Sequence, residues 1–465
     1  MENLNQMRRA PVWRIEWRIF SRGPALIAGC IAISLAISYA FWNGATWMRQ
    51  QRQIQSDLAS EEAAHWREWR SSPQGQDPYF LAAQQRVAML PPAPLSFLCL
   101  GDSDLYHASG KVHGWGTPGN RFAQSELTNP STLRAGRLDL AFVMVYLLPL
   151  VIAGLSYDLL SAEREGGTLA MILSQPVGIL RVLLGKTLLR AVVILSLVVL
   201  CAAAAAWYLS GAALASLAAW AGAVLLYAAF WLALALAVNT LGLGSAANAI
   251  ALTGIWVLFA IILPTLIDSG VQAWYPLPPR SEAILAAEQA ELDYGRDRQT
   301  ALERVWQEHP DYRPLPGAHP PGRASLIAAF LREQPKLEAL EARHRDMLLR
   351  RQSAIDKLQW LSPSVALQRA LADLAGTGPA RYRSFRAQVD VFIRRERLLY
   401  FPMVFRGEKL GPAVYDSPLV FRYVEEPPAQ MARRVLISLA AIGTFFAACL
   451  GFAVYRIRGY RLAHA

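Results

Sequence analysis

A short charged cluster in the middle of the chain contains the residues best suited to chemistry. Glu163, Arg164 and Glu165 alternate in sign, and Gly166 and Gly167 follow them directly. The glycine pair breaks the chain before a short apolar stretch that ends at a proline. Such an element can present a rigid face to a partner protein. The pattern alone is equally compatible with a polar connector between two helices.

Metal-binding and catalytic patterns have little support elsewhere in the sequence. Asp102, Asp104, His107 and His113 are close together and include oxygen and nitrogen ligands for a divalent cation. Their Gly/Ser-rich surroundings favour solvated turn residues instead. No G-x-S-x-G or S-x-x-K motif occurs where a nucleophile would need it. We therefore predict neither an enzyme nor a metal site.

The tripeptide Gly185-Lys186-Thr187 has the ending of a phosphate-binding P-loop. That motif needs a glycine at position 180, where this chain has Leu180. The tripeptide also opens an apolar segment, whereas a P-loop follows a strand. We expect no nucleotide site and no cofactor in this chain.

The composition indicates a membrane protein. Hydrophobic residues make up 54% of the chain and charged residues only 17%, against about a quarter in soluble proteins. Residues 191–267 include no Asp, Glu, Lys, Arg or His. Because one spanning helix needs about 20 apolar residues, this stretch is long enough for three spans.

Six spans are predicted in all, which makes the fold class an all-α polytopic membrane protein with two largely helical extracytoplasmic segments. The first span is expected to continue as a helix over 47–70, and further helices are predicted at 280–308, 324–360, 363–374 and 380–400. The spans are placed at 24–42, 138–157, 188–209, 217–238, 247–267 and 435–455. Residues 1–23, 158–187 and 456–465 are expected on one side of the membrane, and residues 43–137 and 268–434 on the other.

The distribution of arginine and lysine predicts the orientation. Both termini and the 158–187 loop are rich in these residues, which places them in the cytoplasm. Four arginines oppose this orientation: Arg134, Arg137, Arg433 and Arg434. They flank long loops, where such charges count less.

The segment before the first span has the periodicity of a helix that lies in the membrane interface. Trp13, Trp17 and Phe20 form an aromatic stripe, and Arg14 and Arg18 line another face. The alternative is a cytoplasmic stub whose arginines only set the topology.

The stretch that begins at Glu163 resembles the hallmark of ABC-2 type transporter permeases. In that family Glu-Arg, Gly-Thr-Leu and Leu-Ser-x-Pro recur after the second span, and Gly185-Lys186 matches the family's third-span start. The chain further resembles a bacterial subfamily with a large extracytoplasmic domain between the fifth and sixth spans. The motifs that carry this second resemblance are Gly101–Leu105, Leu138–Phe142, Leu361–Ser364 and Phe405–Glu408.

The resemblance implies the permease subunit of an ATP-driven exporter in the bacterial inner membrane. A separate ABC ATP-binding subunit would hold ATP and Mg. A second permease copy, identical or paralogous, would complete the pathway. The loop after the second span would contact the ATP-binding subunit, and the helix before the first span would lie along the inner interface. The implied coupling residues are Glu163, Arg164, Glu165, Gly166, Thr168 and Leu169.

Other classes fit the sequence less well. A secondary transporter or channel keeps an acid or histidine inside the membrane as an ion relay. The apolar runs that predict the six spans, the second of which is Leu140–Tyr157, have none. The uncharged spans favour an apolar or amphipathic substrate. Arginine-rich segments 343–351 and 394–397 are interleaved with acids, so we interpret them as solvated faces and expect no nucleic-acid partner. Two alternatives stay open: a subunit that transmits mechanical work to an extracytoplasmic partner without passing a substrate, and an ATP-independent membrane protein.

Overall fold

The computed structural model describes residues 24–72, 77–101, 108–115, 138–169, 179–209, 214–277, 279–293, 297–314, 322–411 and 419–463. Among these, six helices are long and apolar enough to cross a membrane. The predicted all-α, multi-pass class is therefore confirmed. The aromatic and arginine stripes at residues 13–20 lie outside the described residues, as do Asp102, Asp104 and His107.

The described helices are named here in chain order. The membrane-spanning ones are α1, α3, α5, α6, α7 and α13. The bounds are α1 (Pro24–Ser71), α2 (Pro78–Ala83), α3 (Leu140–Phe142 and Leu148–Ser156, joined by the π-helical turn Val143–Leu147), α4 (Ser161–Glu165), α5 (Ile179–Tyr208), α6 (Leu214–Asn239), α7 (Ser245–Val257 and Leu263–Trp274, joined by the π-helical turn Leu258–Ile262), α8 (Arg280–Asp293), α9 (Arg298–Glu308), α10 (Gly322–Leu358), α11 (Pro363–Ala375), α12 (Pro379–Arg406) and α13 (Pro428–Ala463).

Helix α6 occupies the centre of the membrane bundle. It packs against α3, α5, α11 and α13. Trp220, Tyr227, Phe230 and Trp231 on α6 are fully buried, and alanines fill much of the rest of its surface. Small residues let neighbouring helices approach closely in a membrane, where dispersion contacts drive association. The sequence of α6 therefore suits a central position.

Helix α11 closes one end of this bundle. Its leucines and alanines are buried among those of α6 and α13. The hydroxyl of Tyr227 on α6 lies 2.9 Å from Ser364 Oγ and donates to the Val145 carbonyl at 2.9 Å. Ser362 Oγ donates to the Phe259 carbonyl at 2.8 Å. Val145 and Phe259 lie in the π-helical turns. Ser362, the N-cap of α11, is therefore bonded directly to the irregular turn of α7, and Tyr227 of α6 connects Ser364 to that of α3.

A large domain lies beyond that end of the bundle. It comprises the part of α1 after Met48, α2, α8, α9, α10, α12 and an extended segment, residues 419–427, called the strap here. It also includes a two-stranded antiparallel hairpin, β1 (Arg86–Met89) and β2 (Ser109–Val112), in which Arg86 pairs with Val112. The sequence pattern does not predict this hairpin. One aromatic cluster of the domain includes Trp69, Phe330 and Phe405.

The extramembrane helices lie close to the predicted segments, except that one predicted helix is divided into two. The stretch 280–308 forms two helices, α8 and α9, and Asp297 before α9 has a left-handed backbone with φ of 50°. Such a conformation cannot continue an α-helix. Gly376 ends α11 with φ of 70°, and a Cβ there would lie 2.5 Å from Ala93 Cβ. Only glycine fits this turn.

A buried ion pair joins the hairpin to α12. Arg86 Nε lies 3.1 Å from Glu396 Oε1, and neither side chain is more than 1% exposed. The Trp66 ring of α1 covers the guanidinium at 3.7 Å. Burial raises the pKa of Glu396 to about 7, despite the lowering effect of Arg86. The interpretation of 394–397 as one solvated face is therefore wrong for Glu396 and Arg397, since both are buried in the domain core.

Candidate coupling site

The charged cluster lies at the end of the bundle opposite the large domain. It is placed between the end of α3 and the start of α5, and Glu163, Arg164 and Glu165 lie on the short helix α4. Leu159 and Leu160 before it are buried with Leu183, Leu236 and Ile457. This apolar anchor holds the loop against the ends of α5, α6 and α13. The charged side chains are thereby presented to the adjacent turns.

Glu163 is bonded to α5. Its Oε1 accepts a hydrogen bond from Lys186 Nζ at 2.7 Å. Thr168 Oγ1 donates to the Glu163 carbonyl at 3.1 Å and also to the Glu163 carboxylate. Lys186 is only 6% exposed, so its ammonium is held largely out of solvent. A buried charge of this kind needs its partner, because an uncompensated one is costly.

Arg164 and Glu165 reach in the other direction, to the turn between α6 and α7. The Arg164 guanidinium donates to the carbonyls of Gly242 and Leu243. Glu165 accepts from the backbone N–H of Ser245 at 2.6 Å and from its Oγ at 2.8 Å. The carboxylate thus caps the N-terminus of α7, where exposed N–H groups and the helix dipole favour a negative charge.

Two asparagines form a buried polar contact beneath this layer. Asn239 Nδ2 donates to the Ser156 carbonyl at 2.9 Å, and its Oδ1 accepts from the Leu160 N–H at 3.1 Å. Asn248 Nδ2 donates to the Tyr157 carbonyl at 3.1 Å and lies 3.3 Å from Asn239 Oδ1. These bonds connect the end of α3 with α6 and α7.

Arg190 adds a further bond between α5 and α3. Its Nε donates to the Leu155 carbonyl, and its Nη2 lies 3.6 Å from Asp158 Oδ1. The side chain is buried. From the sequence, Lys186 and Arg190 are predicted as charges that set the topology, and Lys186 also matches the family's third-span start. Asn239 is predicted only as the start of the turn before the fifth span, and Asn248 is not predicted. The one signal for the asparagines was their polarity within an otherwise apolar stretch.

A comparison with protein families identifies the class of this chain. The model of the ABC-2 family transporter proteins matches residues 47–458. The chain belongs to this family. A search of curated proteins found no match. Members of the ABC-2 family are membrane subunits that are not catalytic themselves. The family resemblance read from the Glu163 motif is thereby confirmed, whereas the subfamily with a large extracytoplasmic domain stays a prediction.

In this ABC-2 family protein the charged cluster is bonded to several parts of the membrane bundle. Glu163 reaches α5, Arg164 reaches the α6–α7 turn and Glu165 reaches the start of α7. Gly166 and Thr168 are exposed, and Leu169 packs against the leucines of the apolar anchor. The six predicted coupling residues therefore divide into two sets. The three charged side chains and Leu169 connect the loop to the bundle, and Gly166 and Thr168 leave a surface open.

Proposed function

We propose that this chain is the permease subunit of an ATP-driven exporter in the bacterial inner membrane. A separate ABC ATP-binding subunit hydrolyses ATP and holds Mg. The observation that carries the proposal is the bonding of Glu163, Arg164 and Glu165 to three different parts of the bundle. A loop connected in this way transmits a displacement to several spans at once.

The coupling step begins at the open surface of the loop. The ATP-binding subunit contacts Gly166 and Thr168, which are exposed. When ATP closes the partner subunits, the loop moves and α4 moves with it. The bonds of Arg164 and Glu165 transmit this movement to the turn before α7 and to its start, and the bond of Glu163 transmits it to α5. The spans change tilt between two arrangements, which is how differential binding at one site shifts a conformational equilibrium.

The topology follows from the distribution of basic residues. The loop that contains α4 and both termini face the cytoplasm, and the large domain is extracytoplasmic. The helix predicted around Trp13 and Arg14 lies along the inner interface. A second permease copy, identical or paralogous, completes the pathway. Because charged groups are absent from residues 191–267, the substrate class is apolar or amphipathic.

A charge reversal of both acids tests this proposal. Replacing Glu163 and Glu165 with lysine places a new cation opposite Lys186 and removes the cap of α7. We expect membrane insertion to persist and ATPase coupling to be lost when the variant is assembled with its ATP-binding partner. A Glu288→Lys, Glu303→Lys variant is the matched control, since both residues are exposed in the large domain. Unchanged co-purification and unchanged coupled activity in the Glu163/Glu165 variant would remove the assignment.

A second candidate is a subunit that performs mechanical work on an extracytoplasmic partner. The observation that favours it is the continuity of α1, which runs without interruption from the bundle into the large domain. Substrate accumulation in sealed vesicles that contain the chain and its ATPase separates the two functions. Accumulation supports the exporter, and coupled ATPase activity without accumulation supports the mechanical role.

A further inference from the structure

Helix α12 has a second apolar face, which no other described element covers. Val391, Arg394, Arg395, Leu398 and Leu399 follow the spacing i, i+3, i+4, i+7 and i+8, so they form one stripe along the helix. All five are exposed, and Leu398 is 73% exposed. We call this stripe the ridge. The opposite face of α12 fills the core of the large domain.

The ridge is positively charged. Among the described residues, neither Arg394 nor Arg395 has an ion-pair partner. The nearest acids along the helix are engaged elsewhere: Asp390 faces Arg345 at 3.9 Å, and Glu396 is buried against Arg86. Two guanidinium groups thus stand beside exposed leucines. The ridge lacks the acidic residues that would make it an ordinary solvated helix face.

The strap extends the same surface. Phe421 and Tyr423 point inward and pack on Phe385 of α12. Val424 is held by Gln388 through its N–H at 2.9 Å and its carbonyl at 2.8 Å. Val420, Arg422 and Val424 alternate with these inward residues and are exposed. The strap therefore adds two valines and a third arginine next to the start of the ridge.

The ridge lies far along α1 from the membrane bundle, which favours a protein over lipid as its contact. Met48 of α1 belongs to the core of the membrane bundle, whereas Trp66 covers Arg86, which is paired with Glu396 beside the ridge. Eighteen helical residues between Met48 and Trp66 span about 27 Å at 1.5 Å per residue. The headgroup layer extends only about 5–8 Å beyond the hydrocarbon core.

We propose that the ridge binds an acidic amphipathic helix of another protein on the large-domain side of the membrane. The leucines of the ridge pack against the partner's apolar face, as the apolar stripes of two amphipathic helices do. Arg394 and Arg395 bind the flanking carboxylates, because guanidinium and carboxylate groups match in two-point hydrogen bonds. This interaction is independent of the transport function proposed above.

The test uses the full-length chain in lipid nanodiscs and two fluorescent helical peptides. Both peptides have leucines on one face; one has glutamates on the other face and the second has lysines. Fluorescence anisotropy should show saturable binding of the glutamate peptide and at least about tenfold weaker binding of the lysine peptide. The Arg394→Glu, Arg395→Glu variant should weaken binding of the glutamate peptide by about tenfold or more. Arg304→Glu, Arg343→Glu, a control with the same change in net charge at exposed positions, should leave it unchanged.

A photo-crosslinking amino acid at position 398 locates the partner in living cells. A cross-link to an acidic protein segment that disappears in the Arg394→Glu, Arg395→Glu variant supports the proposal. A cross-link only to lipid, or to a second copy of this chain, overturns it. Equal binding of the two peptides, or binding of the glutamate peptide that survives the charge reversal, overturns it as well.

Discussion

The contact between Glu163 and Lys186 allows a direct measurement of how firmly the loop is attached to α5. Three variants form a double-mutant cycle: Glu163→Gln, Lys186→Met and the two together. Glutamine keeps an oxygen that can accept from Thr168 and Lys186, so the first variant removes mainly the negative charge. Methionine removes the ammonium and preserves most of the length of the lysine side chain.

The geometry sets the expected size of the coupling. The two charged atoms are 2.7 Å apart, and the side chains of Lys186 and Glu163 are 8% and 25% exposed. Breaking a fully buried pair costs about 3–5 kcal/mol, and exposed pairs contribute about 1 kcal/mol or less. A partly exposed pair falls between these limits, so we expect an interaction free energy of about 1–2 kcal/mol, or a factor of roughly 5–30.

The measurement is the free energy of unfolding of each variant in mixed detergent micelles, together with ATPase activity after assembly with the proposed ATP-binding subunit. Each single variant should be destabilised, and the double variant should be destabilised less than the sum of the two. If the effects add to within about 0.5 kcal/mol, the two groups do not interact and the attachment of the loop to α5 is refuted. If the two groups interact in the stability measurement but the variants leave ATPase activity unchanged, the pair has only a structural role.

Two further predictions concern the large domain and its junction with the bundle. Because the pKa of Glu396 is about 7 in the folded state against an ordinary 4.5, the folded state binds the extra proton, and stability should fall as the pH rises from about 4.5 to 7. The unfolding temperature should decrease over this range in the native chain and less so in Glu396→Gln; equal slopes would contradict the assignment. Gly44→Ala would place a Cβ 1.9 Å from the Phe97 carbonyl oxygen, so it should lower stability by about 1–3 kcal/mol. Gly154→Ala meets no atom within 4 Å and should leave thermal stability unchanged or higher, so equal losses in the two variants would contradict the packing at Gly44.

Composition was sufficient to predict the helical class because membrane spans lack charge over long stretches. It does not predict that α11 packs against the bundle. Residues 363–374 include Arg369 and Asp373, which makes the segment typical of an extramembrane helix. Its burial depends on contacts with Tyr227 and Phe259, more than 100 residues earlier in the chain. Such partners are not visible in local periodicity.

Only the part of the candidate site that forms a local sequence pattern could be predicted, because the rest depends on contacts between distant residues. Glu163, Arg164 and Glu165 were recognisable because three charges beside a glycine pair form a local pattern. Asn239 begins a predicted turn and Asn248 is a single polar residue in an apolar helix, so neither has a local pattern that predicts its partner. Their role appears only when α6 and α7 bring them to 3.3 Å from each other. The charge of Lys186 predicts a side of the membrane, but it does not predict the partner of this side chain.

The uninterrupted length of α1 makes it a lever. Its 48 residues correspond to about 72 Å, and roughly 35 Å of that lie beyond Met48, with neither glycine nor proline to absorb a bend. A rotation of about 5° around Met48 would therefore shift the far tip by about 3 Å, using the helical rise per residue. A small rotation of α1 inside the bilayer would therefore move its distal end by about the length of a hydrogen bond.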